Sequence, residues 1–93
     1  MISVSVRYHN VLRQITGLQQ ETVPLSEPTL GALLEHLAVA HGPALRTVLF
    51  GPEGQVSTHL VVFHNQQLAP RGQGDLPLAD GDELMLFPAI SGG

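Results

Sequence analysis

Ninety-three residues, 43% of them hydrophobic and only 13% charged, make one domain with one modest core and exclude a disordered chain. The chain has neither cysteine nor lysine, which excludes a disulfide framework, a thiol nucleophile, a thiolate metal site, a P-loop lysine and Schiff-base chemistry. A formal charge of −4 disfavours nucleic-acid binding and suits a partner with a basic surface.

Residues 2–8 alternate: Ile2, Val4, Val6 and Tyr8 share one face and Ser3, Ser5 and Arg7 the other, which predicts a half-buried strand. Residues 12–17 read as a turn or short helical turn stopped by Gly17. A second short strand is expected at 21–25, with Pro24 confining it to an edge or a strand end. Ser26-Glu27-Pro28-Thr29 supplies helix-start chemistry, and Leu30, Leu33, Leu34, Leu37, Ala38 and His41 form one apolar helical stripe ended by Gly42-Pro43. A further helical turn is expected at 44–50 and a chain turn at 51–54. The apolar run at 60–63 reads as a buried strand, turned back at Asn65-Gln66 into a short segment through Leu68. Gly72 and Gly74 mark a loop, Asp80-Gly81-Asp82 a turn, and 83–87 the last strand.

The order strand, strand, helix, strand, short strand, strand predicts an α+β fold. It is the β-grasp, ubiquitin-like architecture, a mixed sheet with one main helix across one face. The first and last strands are expected to be central and parallel, because the helical connection lies between them. The domain is expected to span 1–87. No apolar run is long enough to cross a bilayer and no secretory signal opens the chain, so no membrane partner and a cytoplasmic location are expected.

No self-contained active site is legible. Asp80-Gly81-Asp82-Glu83 lacks the ligand spacing of a calcium loop. His36 and His41 stand at a five-residue step that turns them to different helix faces, and His59 and His64 read as strand-end surface groups, so no metal site is expected. In the last strand Leu84 and Leu86 share one parity and Met85 and Phe87 the other. With the leucines toward the helix, Met85 and Phe87 face outward, next to Arg7 of the first strand and, where that strand extends past Tyr8, His9. Such a partly apolar face rimmed by arginine suits docking.

That face stands at the root of a tail. Pro88, without an N–H, is expected to end sheet pairing and release a flexible segment, 88–93, that closes on Gly92-Gly93. Six residues reach about 20 Å at roughly 3.3–3.6 Å each. The two glycines lack a Cβ and fit backbone shapes in a narrow channel closed to other residues. What the tail delivers there is the carboxylate of Gly93.

Val6-Arg7-Tyr8, Leu12-Arg13 and Gly17 resemble the opening of the MoaD/ThiS sulfur carriers. Leu78-Ala79-Asp80-Gly81-Asp82-Glu83-Leu84, then Phe87-Pro88, then Gly92-Gly93 resembles their ending. The Phe-Pro pair and the long middle look more like the MoaD branch, the small subunit of molybdopterin synthase. Ala89 stands where a second proline is usual, Gln14 where Glu is common and His9 where an aromatic is common. The resemblance implies a protein that is no enzyme on its own but part of a sulfurtransferase complex. An E1-like adenylating enzyme (MoeB/ThiF type) would activate Gly93 with ATP and Mg²⁺, neither bound by this chain. A sulfur donor protein would convert the adenylate to a thiocarboxylate, which donates sulfur to a pterin precursor held by the large synthase subunit (MoaE type) in molybdenum cofactor biosynthesis. It also implies a partner face comprising His9, Arg13, Leu68, Met85, Phe87 and Pro88. The same tail serves a ubiquitin-like protein modifier, or a carrier for tRNA thiolation or thiamine. A non-covalent β-grasp interaction module needs no tail at all.

Overall fold

The computed structural model describes residues 1–88. Strand β1 (Ile2–Tyr8) buries Val4, Val6 and Tyr8 and leaves Ser3 and Arg7 exposed, as the alternation requires. Helix α1 (Val11–Thr16) begins one residue before the expected turn and buries Leu12. Gly17 caps it in the left-handed region at φ 73°, donating its N–H to the Arg13 carbonyl at 2.9 Å, a conformation that favours glycine. Strand β2 (Gln20–Leu25) pairs antiparallel with β1 and forms one edge of the sheet, where Pro24 is tolerated opposite Ser3.

Helix α2 (Leu30–His41) starts at Thr29, whose hydroxyl accepts from the Ala32 amide at 3.2 Å. Thr29→Ala is expected to cost about 1 kcal/mol, which in a domain of this size lowers the thermal midpoint by roughly 4–8 °C. A thermal melt followed by circular dichroism checks it, and an unchanged midpoint would show that water replaces the cap at no cost. Helix α3 (Pro43–Leu49) opens on a proline, where a missing N–H does no harm, and buries Leu45 and Leu49.

Strands β3 (Leu60–His64), β4 (Gln67–Leu68) and β5 (Glu83–Pro88) complete a five-stranded sheet in the order β2-β1-β5-β3-β4. Strand β5 runs parallel to β1 and antiparallel to β3, so the first and last strands lie side by side. Asn65 and Gln66 both adopt positive φ, as a two-residue hairpin turn between β3 and β4 demands. The buried residues of all the long strands share one face of the sheet with the leucines of the three helices, in one core. This is the β-grasp arrangement, with α2 joined by two shorter helices.

Two expectations need correction. The run at 60–63 is not buried throughout: Leu60 and Val62 face the core, whereas Val61 and Phe63 are half-buried on the face that no helix covers. The last strand also runs one residue past the expected 83–87: Pro88 lies opposite Leu60 as the last residue of β5. A strand's terminal residue need not supply a ladder donor, so the missing N–H is accommodated there. The remaining tail, with Gly92 and Gly93, lies outside the described residues.

Candidate functional site

Because the helices cover one side of the sheet, the other side displays the second parity of every strand. On β5 that set is Met85 and Phe87, both half-buried; on β3 it is Val61 and Phe63. The register puts Val61 opposite Phe87 and Phe63 opposite both Met85 and Leu68. Directly opposed residues share a face, so these five make one apolar patch across three strands. Leu68, at the edge, is 64% exposed.

The patch has internal order. Phe63 meets Phe87 edge to face, with centroids 5.7 Å apart. His9 lies flat on the other side of Phe87, with centroids 4.2 Å apart and planes 7° from parallel. His9 Nε2 is buried in that stack and has no hydrogen-bond partner. The ring therefore serves here as a flat surface rather than as a hydrogen-bonding group. Arg7 lies opposite Met85 and donates from Nε to Gln20 Oε1 at 3.2 Å. With Ser5 and Glu83 these two line a shallow polar groove of about 300 Å³ beside the patch.

Of the six residues expected to form the partner face, four come together: His9, Leu68, Met85 and Phe87. Arg13 is exposed on α1 and makes no side-chain hydrogen bond or ion pair among the described residues. Pro88 falls on the other parity, opposite buried Leu60, and so stands at the strand end on the helix side of the sheet. Val61 and Phe63 were not anticipated. Their signal was present in the sequence: an apolar run in a sheet with one covered face must send alternate residues to the open one.

The start of β5 is held from three directions. Gly81 donates to the Ser3 carbonyl at 2.8 Å and the Ser3 amide donates to Asp80 Oδ1 at 2.7 Å. Asp82 accepts from Asn65 Nδ2 at 3.0 Å and from the Ala79 amide at 2.8 Å, and lies 2.6 Å from His64 Nε2. Burial pushes the Asp82 carboxyl upward, but the bonds from Asn65, His64 and Ala79 outweigh it and hold it below the usual carboxylate range. A carboxylate depressed in the folded state adds stability at pH above its unfolded value, and that contribution is lost as pH falls through the folded value. The denaturation midpoint is therefore expected to drop from about pH 4 downward, and less steeply in Asp82→Asn. Urea titrations over a pH series check it, and identical slopes in the two proteins would remove Asp82 from the acid response.

On the core side, Tyr8 donates its hydroxyl to Glu21 Oε2, which also lies 2.7 Å from His41 Nε2. Burial, then the bond to Glu21, pushes the Tyr8 phenol up and keeps it neutral. The contact ties β1, β2 and the end of α2 together and belongs to the scaffold. Among the described residues no three His, Asp or Glu side chains converge as a metal would need, and no helix is long and apolar enough to cross a membrane.

The ThiS family model matches residues 6–93. Small archaeal modifier protein 1 of Haloferax volcanii is 37% identical over 83 residues, covering 88% of this chain and 91% of that protein. The molybdopterin synthase sulfur carrier subunit of Escherichia coli is 31% identical over 90 residues, covering 97% of this chain and 99% of that protein. The crystal structure of the Haloferax modifier superposes with a TM-score of 0.81 at 35% identity, covering 98% of this chain and 99% of that one.

Proposed function

This chain belongs to the ThiS family of ubiquitin-like sulfur carriers, and on that premise we propose that it carries sulfur on Gly93 for molybdopterin synthesis. The observation that carries the reading is the apolar open face on β5, the strand from which the diglycine segment departs. A free carboxylate is a poor electrophile. Attack of the Gly93 carboxylate on the α-phosphorus of ATP, in an E1-like enzyme that supplies Mg²⁺, would release pyrophosphate and leave an acyl-adenylate. A donor of sulfur at the sulfide level then displaces AMP and leaves a thiocarboxylate, a soft nucleophile that attacks an activated pterin precursor. The large synthase subunit supplies the pocket; this chain supplies the reacting atom, which no cysteine of its own provides.

Energetics favour a division of labour between tail and face. Ordering six tail residues in a channel costs on the order of 6–12 kcal/mol. Phe63 and Phe87 are already half-buried, so covering the rest of each contributes about half of the roughly 1.5–3 kcal/mol that full burial is worth. The face therefore holds the partner while the tail is threaded.

A second reading, a ubiquitin-like protein modifier, is favoured by the 37% identity to the Haloferax modifier. In it the same activated Gly93 acylates lysines of other proteins. This chain, without lysine, offers no side-chain amine to another copy. Intact-mass spectrometry of the full chain, recovered from cells that supply its activating enzyme, tests both readings. One oxygen-to-sulfur exchange without adducts supports the carrier, and isopeptide-linked adducts support the modifier. A chain unmodified in the presence of ATP, activating enzyme and sulfur donor overturns both.

A further inference from the structure

A second surface lies on the opposite side of the molecule. The core-facing residues of α2 recur at Leu30, Leu33, Leu34, Leu37 and Ala38, so its outer face carries Gly31, Ala32, Glu35, His36, Val39 and Ala40. An outer helix face is normally charged or polar; here Val39 is 72% exposed and only Glu35 and His36 are polar. Gly31 approaches the neighbouring loop so closely that a Cβ there would stand 3.0 Å from the Gly74 carbonyl oxygen. With no side chain at either position, two grooves meet at this point, of about 620 and 490 Å³. They share Glu27, Gly31 and Ala32, and the second runs on to Phe50, Val56 and Asp75.

His36 aside, the acidic and basic side chains that line these grooves themselves are all acidic. Glu27, Glu35 and Asp75 line them, and neither lysine nor arginine does. Two arginines stand close by: Arg46 is held by Glu35 through two bonds of 2.8 and 2.9 Å and lies over the Phe50 ring, and Arg71, next in the chain to groove-lining Gly72, donates to the Thr58 carbonyl at 3.4 Å. Glu27 and Asp75 are in no ion pair among the described residues.

We propose that this belt is a second docking surface, and that its occupant is a lysine- or arginine-rich amphipathic segment of a partner protein. Long cationic side chains lay apolar stems along an apolar floor while their charged ends reach outward. Ala32, Val39 and Phe50 supply such a floor, and Glu27 and Asp75 receive the charged ends. The overall charge of −4 steers the same class of partner toward the chain. Because α2 covers the side of the sheet opposite Met85 and Phe87, a partner seated on the open face leaves the belt free, and both are occupied at once. The inference stands apart from the chemistry of the tail.

The test is a titration of the ¹⁵N-labelled full chain with a synthetic amphipathic lysine–leucine helix, followed by NMR shifts. Shifts are expected at Ala32, Val39 and Asp75 and not at Arg7 or Met85. Affinity should weaken by about tenfold or more between roughly 0.1 and 0.5 M salt, and by about tenfold in the double variant Glu27→Gln, Asp75→Asn. A peptide with glutamate in place of lysine should not bind. Absence of shifts, shifts spread over Asp80 and Glu83 as well, or shifts centred on Met85 would overturn the proposal. Phe87→Ala should bind the peptide like the unaltered chain, so failure of the sheet face in its own role leaves this result readable.

Discussion

Removal of Gly92 and Gly93 is expected to abolish ATP-dependent activation while the domain remains folded. The expected loss is complete rather than graded, because on the proposed reading the diglycine would supply the reacting carboxylate and no side chain of this cysteine- and lysine-free chain would replace it. On that reading a shortened tail would end on Ser91, its carboxylate two residues, about 7 Å, short of the α-phosphate of ATP, and a channel narrow enough to select glycine would reject a Cβ. Pyrophosphate release with the activating enzyme measures the activity, and a thermal melt measures the fold. The core is built from residues between Val4 and Leu86, so the melting midpoint should not move. Retained pyrophosphate release in the shortened chain would refute activation at Gly93. Conversion of Gly93 to alanine separates the two causes: it keeps the reach and adds only the methyl group.

The second large effect concerns two adjacent residues of β5 that face opposite ways. Phe87→Ala is expected to leave a cooperative fold and weaken binding to the activating enzyme by roughly three- to tenfold, the equivalent of the ~0.75–1.5 kcal/mol that covering the open half of the ring contributes. Leu86→Ala, at 0% exposure in the core, is expected instead to cost about 2–5 kcal/mol of stability. Isothermal titration and urea denaturation, run on both variants, give four numbers with a crossed pattern. Unchanged binding by Phe87→Ala would place the ring outside the interface, and outright unfolding would make it a core residue. Phe63→Ala should follow Phe87→Ala, because the two rings share one edge-to-face contact and one face.

Much of this architecture was legible in the order of the residues. The alternation at Ile2–Tyr8, the leucine stripe of α2, the proline in β2 and the Asn65-Gln66 turn each act through neighbours a few residues away, so local physics fixes them. The parity of Leu84 and Leu86 against Met85 and Phe87 likewise divided β5 into two sets. The diglycine and the acidic turn before β5 pointed to the family without any coordinates.

What the chain order left open was which of two sets meets water and which meets protein. Val61 and Phe63 belong to an unbroken apolar run, and such a run carries no period that separates a strand covered on both faces from one covered on one. The answer came from the helices, all of which pack on one side of the sheet. The stack of His9 on Phe87 and the placing of Pro88 opposite Leu60 depend on strand pairings between residues more than twenty positions apart. The ties of Glu21 to Tyr8 and His41, and of Asp82 to His64, likewise cross between separate elements. Periodicity states how an element divides its own side chains; only the packing of whole elements decides which half is left uncovered for a partner.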